Sequence, residues 1–260
     1  MPALPRAKKR FGQHFLTDRH YVDRIVRAIA PAQGDAMVEI GPGTGILTDP
    51  LAAALDHLHV VEIDRGLAGA LRARFREDRV TVHEADALEF AFEELPGMLR
   101  VVGNLPYNVS TPILFRMASL AERLRDCIFM LQKEVVERMV AAPATPEYGR
   151  LSVMLQYRFE MALQLRVPPG AFTPPPKVDS AVVRMVPLGA GRARAHDERL
   201  FERIVAAAFS QRRKMLRSAV RALATPASFE EARIDASRRG ETLSVAEFIA
   251  LADAARSSPP

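Results

Sequence analysis

Tryptophan is absent from the 260 residues and cysteine occurs once. A lone cysteine cannot close an internal disulfide, which excludes the small stapled folds of secreted proteins. Cys127 sits in the apolar run Cys127-Ile128-Phe129-Met130-Leu131, so it reads as a core residue of a reducing compartment. No stretch approaches 18 consecutive apolar residues, and the basic amino-terminal segment is not followed by an apolar one. Neither a membrane span nor a secretory signal is expected, and the cytoplasm is the expected location. No Cys/His cluster has metal-ligand spacing, so no metal is expected. There is also no Walker loop, no G-x-S-x-G elbow and no internal repeat.

The composition is that of an ordinary globular protein, 48% hydrophobic and 26% charged, long enough for one large domain with a smaller appendage. Its net charge of +5 is unevenly spread. Residues 1–35 carry 7 Lys/Arg against 3 Asp/Glu, and residues 187–260 carry 13 against 9, which leaves the body between them at −3. A mildly acidic body with two basic ends suits a polyanion gripped from its flanks, although a solvated surface has the same look. The glycine-containing stretch Pro187 to His196 reads as a linker, which divides the chain into domains at 1–186 and 187–260.

Short apolar strands alternate with helical segments through the first domain, the pattern of an α/β fold. Ala36 to Ile40 runs straight into Gly41-Pro42-Gly43-Thr44-Gly45 and then a helix. The G-x-G-x-G spacing differs from the dinucleotide fingerprint, which needs its third glycine one residue later to seat a pyrophosphate. A nucleoside cofactor without phosphates fits better. Glu62, at the end of the second strand and 21 residues past Gly41, is placed to take ribose hydroxyls, and Asp86 to accept from an adenine amine. The run Leu99 to Val102 reads as a buried strand stopped at Gly103, where the chain must turn. Beyond it, Asn104 offers an amide oxygen, Pro106 stiffens the loop and leaves the Leu105 carbonyl free, and Tyr107 offers a ring for a flipped-out base. Asn-x-Pro-Tyr alone is also a common turn with a half-buried tyrosine.

Pro168 to Lys177 is stiff and extended; it either holds Phe172 out on a stalk or is a crossover with Phe172 in the core. In the second domain, Lys214, Arg217 and Arg221 fall on one face of a helix expected over 214–223, beside Arg212 and Arg213. No acid lies between Ser210 and Leu223, which favours phosphate contact over a merely solvated face.

Taken together, Lys9-Arg10-Phe11-Gly12-Gln13-His14-Phe15-Leu16, Glu39 to Gly45, Asn104-Leu105-Pro106-Tyr107, Leu131 to Val135, Tyr148 to Ser152, Phe172 to Ser180 and Gln211 to Lys214 resemble the ribosomal RNA adenine dimethyltransferases of the KsgA type. The resemblance implies a class I methyltransferase domain, Rossmann-like with a mostly parallel seven-stranded sheet, followed by a small all-helical RNA-binding domain. It implies S-adenosylmethionine as cofactor, with contacts at His14, Leu16, Gly41, Gly43, Glu62, Asp86 and Asn104. His14 stands where this family more often has Asn. The implied substrate is a pair of adjacent adenosines in the 3′-terminal hairpin of small-subunit rRNA, and the implied partner is the pre-subunit particle, met by a monomer. Asn104, Leu105, Pro106, Tyr107 and Phe172 would form the catalytic pocket, Tyr107 and Phe172 clamping the base. The Tyr107 ring, more than its hydroxyl, is expected to matter. Arg212, Arg213, Lys214 and Arg217 would bind RNA. The rival readings are a large-subunit rRNA methyltransferase with the same loop, and an assembly factor acting mainly by binding. A nicotinamide dehydrogenase is disfavoured by the glycine spacing.

Overall fold

Hydrophobic strands that run in one direction need crossovers, and in this computed structural model three of the four connections among the parallel strands contain an α-helix. Residues 14–211 and 214–257 are described. The strands are β1 (Phe15–Leu16), β2 (Ala36–Ile40), β3 (Leu58–Glu62), β4 (Val80–Glu84), β5 (Leu99–Asn104), β6 (Leu124–Gln132), β7 (Phe159–Val167), β8 (Phe172–Thr173) and β9 (Ser180–Pro187). Seven of them form one sheet in the order β4-β3-β2-β5-β6-β9-β7, while β1 and β8 pair as a separate antiparallel ribbon. From β2 the chain steps outward to β3 and β4, then returns to lay β5 on the other side of β2. That reversal leaves a crevice at the carboxyl ends of the strands, where open α/β sheets bind ligands.

Local sequence explains the elements that frame this crevice. Asp18 caps the helix Arg19–Ile29 by accepting from the His20 amide, and Val22, Ile25 and Ile29 turn its apolar stripe into the core. Pro50 is accommodated in the first turn of Thr48–Ala54, where amides lack helical partners. Gly103 does not end its strand: β5 continues through it to Asn104. A Cβ at Gly103 would lie 2.3 Å from the Ile40 carbonyl oxygen, so glycine is required by the close approach of β5 to β2 and not by a turn.

The run 99–102 is not wholly apolar either. Arg100 is buried, donating from Nε to Asp126 (2.8 Å) and from Nη1 to Asp35 (2.6 Å), and it also reaches the Ile29 and Ala30 carbonyls. A buried guanidinium persists only when its donors are met in this way. Here it binds the last turn of Arg19–Ile29 to β5 and β6.

The described residues group into two compact units, one within 14–136 and 160–187 and one within 137–159 and 188–257. The division is therefore not a single cut near residue 187, because the segment 137–159 belongs with the second unit. Tyr148, fully buried, donates to the Leu243 carbonyl (2.8 Å) and meets Phe209 edge-on. Tyr157 stacks on Phe201 at 4.3 Å and bonds Glu198. The second unit is otherwise helical, with helices at Glu198–Ser210, Leu216–Ala219, Pro226–Glu231 and Val245–Ser257. The helix expected over 214–223 forms only over Leu216–Ala219, so Lys214 and Arg221 lie outside it.

Candidate active site

Along the carboxyl ends of β4, β3, β2 and β5 lies a cleft of about 890 Å³, open to solvent. Each strand delivers at least one residue singled out by the sequence. Asp86 follows β4, Glu62 ends β3, Gly41 and Gly43 follow β2, and Asn104 ends β5; all five line the cleft. Glu62 is 4% exposed. Its Oε2 accepts from the Gly43 amide (3.1 Å) and its Oε1 from the Asp64 amide (2.9 Å). Burial raises its carboxyl above the usual range, against the lowering effect of those two amides. Gly43 has φ +58°, a conformation glycine adopts without strain, and this aims its amide at Glu62. Asp86 uses Oδ1 to cap its own turn through the Leu88 amide (2.9 Å). Glu39, beneath the glycine loop, is fully buried, accepts from Thr48 Oγ1 (2.7 Å), and is pushed up to about 8 by that burial.

At the β5 end, the Asn104 side chain donates through Nδ2 to the His14 carbonyl (3.2 Å), which sets the amide orientation and leaves Oδ1 as an acceptor. The Leu105 side chain is buried and its amide bonds the Met130 carbonyl, while its own carbonyl takes no hydrogen bond from the described residues. Pro106 and Tyr107 complete this wall. The Tyr107 ring stacks on His14 with centroids 5.5 Å apart and planes at 26°, and the His14 Nδ1 donates to the Pro174 carbonyl (2.9 Å).

Two expected residues are elsewhere. Phe172 is 3% exposed, pairs with Leu16 in the β1–β8 ribbon, and packs in the core with Ala171 and Val167. It is no stalk and offers no face to a base, because burying a phenylalanine gains about 1.5–3 kcal/mol over exposing it. The Leu16 side chain is likewise in the core; it borders a smaller cavity behind the glycine loop and not the cleft itself.

The lining residues that are described contain two carboxylates, Glu62 and Asp86, and no Lys or Arg. Such a wall repels a pyrophosphate and accommodates a nucleoside that carries positive charge, which S-adenosylmethionine does on its sulfonium. Apolar lining from Ile63, Val109 and Ile113 suits the flat faces of an adenine and the aliphatic part of the cofactor. Among the described residues no group of three or more His, Cys, Asp or Glu is arranged to hold a metal.

The family model described as ribosomal RNA adenine dimethylase matches residues 5–256. The chain belongs to this family. Among relatives named ribosomal RNA small subunit methyltransferase A, that of Aromatoleum aromaticum is 58% identical over 246 residues, 95% of this chain and 93% of the relative. That of Nitrosospira multiformis is 56% identical over 244 residues, 94% of each chain. Among solved structures, a dimethyladenosine transferase from Plasmodium falciparum has TM-score 0.80 at 24% identity, covering 92% of this chain and 96% of that one. The 23S rRNA methyltransferase ErmE has TM-score 0.70 at 24% identity, covering 93% and 99%. Both likenesses establish the class I methyltransferase fold.

In this rRNA adenine dimethylase family member, the basic residues of the second unit are partly in view. Arg212 and Arg213 lie outside the described residues. Lys214, Arg217 and Arg221 are exposed, and Arg217 and Arg221 border an open cavity of about 1280 Å³ floored by Phe229 and Ile234. No helix among the described residues is long and apolar enough to cross a membrane. Sequence reasoning passed over Ser180, whose Oγ lies 2.8 Å from the Tyr107 hydroxyl, although it closes the Phe172 to Ser180 motif. It also passed over Glu39 as a buried acid and over Arg100.

Proposed function

We propose that this protein transfers methyl groups from S-adenosylmethionine to the exocyclic amines of two adjacent adenosines in the 3′-terminal hairpin of small-subunit rRNA, dimethylating each. The observation that carries the reading is the Asn104 side chain: it lines the cleft next to Leu105 with its Nδ2 committed to the His14 carbonyl, which leaves Oδ1 as the acceptor it can offer a ligand. An adenine amine is a poor nucleophile because its lone pair is delocalised into the ring. Two acceptors that take its N–H groups hold the lone pair toward the cleft and stabilise the charge the nitrogen gains. Bound S-adenosylmethionine supplies an electrophilic methyl group. Glu62 takes the ribose hydroxyls, Asp86 the adenine amine, and Tyr107 stacks the target base. No side-chain base is needed, since the methylated, cationic amine gives its proton to water. Relatives more than half identical over nearly the whole chain carry the small-subunit name, which favours that substrate over the large-subunit alternative.

The second unit is the RNA-binding domain in this reading, its Lys214 and Arg217 meeting backbone phosphates together with Arg212 and Arg213. The partner is the small-subunit precursor in the cytoplasm, bound by a monomer. The test is single-turnover methyl transfer to small-subunit particles with unmodified rRNA, at saturating S-adenosylmethionine. Asn104→Ala should slow the step by about 100-fold or more while filter binding of the particles stays near wild type. A wild-type methylation rate would remove the catalytic role from this loop. Lost methylation with normal ribosome assembly in cells, where a deletion strain fails, would make binding the main function.

A further inference from the structure

Tyr107 is held at both ends of its side chain. Its ring lies on His14, which is itself fixed by the Pro174 carbonyl, and its hydroxyl lies 2.8 Å from Ser180 Oγ. Ser180 is fully buried and is the first residue of β9, opposite Gln132 at the end of β6. Beside it the Lys133 amide donates to the Asp179 carbonyl (2.9 Å), which secures this corner of the sheet. Because β9 runs antiparallel to β6, its first residue sits at the same edge where β5 and β6 end. The loop after β5 therefore spans the end of β6 and is fastened on the far side.

We propose that Ser180 is a positioning residue for methyl transfer: its hydrogen bond to the Tyr107 hydroxyl, with His14 backing the ring, fixes one ring orientation on which the substrate adenine stacks. The proposal rests on the reading that Tyr107 carries the target base. His14 takes one face of the ring and leaves the other for the base, the clamping partner expected in Phe172 being buried. Without the hydroxyl contact the ring turns about its side-chain bonds, and the base it carries no longer meets the Asn104 and Leu105 acceptors in one geometry; small misplacements of this kind slow a reaction without weakening binding. The hydroxyl thus matters as well as the ring.

The two ends of the hydrogen bond differ in a way that separates positioning from folding. In Ser180→Ala the half-buried Tyr107 hydroxyl can turn to water, so thermal stability and particle binding should stay near wild type while single-turnover methylation falls about tenfold. In Tyr107→Phe the buried Ser180 Oγ loses its partner, so stability and turnover should both fall. The double variant removes both polar groups; it should regain the stability lost by Tyr107→Phe but turn over no faster than either single variant. A contact that served the fold alone would return turnover with stability. Wild-type turnover in Ser180→Ala, beside slow turnover in Tyr107→Ala, overturns the proposal alone. Multiplicative rate losses in the double variant overturn it too, because the residues would then act separately. Wild-type turnover in Tyr107→Ala overturns the stacking reading and the proposal with it.

Discussion

Glu62→Gln exchanges one oxygen for an amide nitrogen in a carboxylate whose two oxygens both accept from the backbone, one from Gly43 and one from Asp64. Whichever oxygen is replaced, a donor then faces a donor at a site only 4% exposed. An unmet buried amide costs about 1–3 kcal/mol, so the variant should be less stable and its glycine loop displaced. On the proposed reading, the lone pairs of the wild-type carboxylate not used by these amides accept from the vicinal ribose hydroxyls. Glu62→Ala removes that acceptor and should cost about 1–3 kcal/mol of cofactor affinity, roughly 5- to 150-fold in Kd. Calorimetric titration with S-adenosylmethionine measures the loss, and melting curves confirm that the titrated sample is folded. Burial raises the Glu62 carboxyl, so wild-type affinity should weaken toward acid pH as that group takes a proton, and the Ala variant should lack this trend. An unchanged Kd in folded Glu62→Ala would refute the ribose assignment.

Glu39 supplies a second test. The unfolded chain releases this proton near 4.5 and the folded protein holds it to about 8, so wild-type stability should fall as pH rises through that window. Glu39→Gln keeps an acceptor for Thr48 and should be the more stable protein by about 3 kcal/mol at pH 7, with little difference at pH 4.5; urea melts that show the same difference at both would refute it. Replacing Arg212, Arg213, Lys214 and Arg217 by Gln should lower the slope of log affinity for RNA against log salt by about 3 while cofactor binding is kept, and an unchanged slope would move the RNA-binding surface elsewhere.

Gly41, Glu62, Asp86 and Asn104 were legible because each stands where an apolar run ends, and in a parallel sheet those ends converge on one crevice. The apolar runs Ala36 to Ile40 and Leu99 to Val102 also located β2 and β5 to within a few residues. What the sequence hid has a common physical cause: it depends on partners far away in the chain. Arg100 was passed over inside a run read as apolar, because Asp35 and Asp126, which surround it, lie 65 and 26 positions away. Gly103 looked like a turn because its neighbour Ile40 belongs to another strand. Phe172, between prolines, fitted a stalk equally well until Leu16 was found paired with it. The second unit escaped a single boundary for the same reason, since Tyr148 and Tyr157 find their aromatic partners beyond residue 200.

The β1–β8 ribbon and the Ser180 contact also impose an order on biosynthesis. His14 and Pro174 are 160 positions apart, and Tyr107 and Ser180 are 73 apart. At translation rates of about 5–20 residues per second, roughly 8–30 s separate the emergence of His14 from that of Pro174. During that interval the parallel strands β2 to β6 leave the ribosome with the glycine loop, Glu62, Asp86 and Asn104, while the stacked and tethered Tyr107 cannot exist. A nascent chain thus carries the glycine loop, Glu62, Asp86 and Asn104 well before the Pro174 and Ser180 contacts that fix His14 and Tyr107. The closures of His14 onto Pro174 and of Tyr107 onto Ser180 are therefore among the last long-range contacts this unit can make.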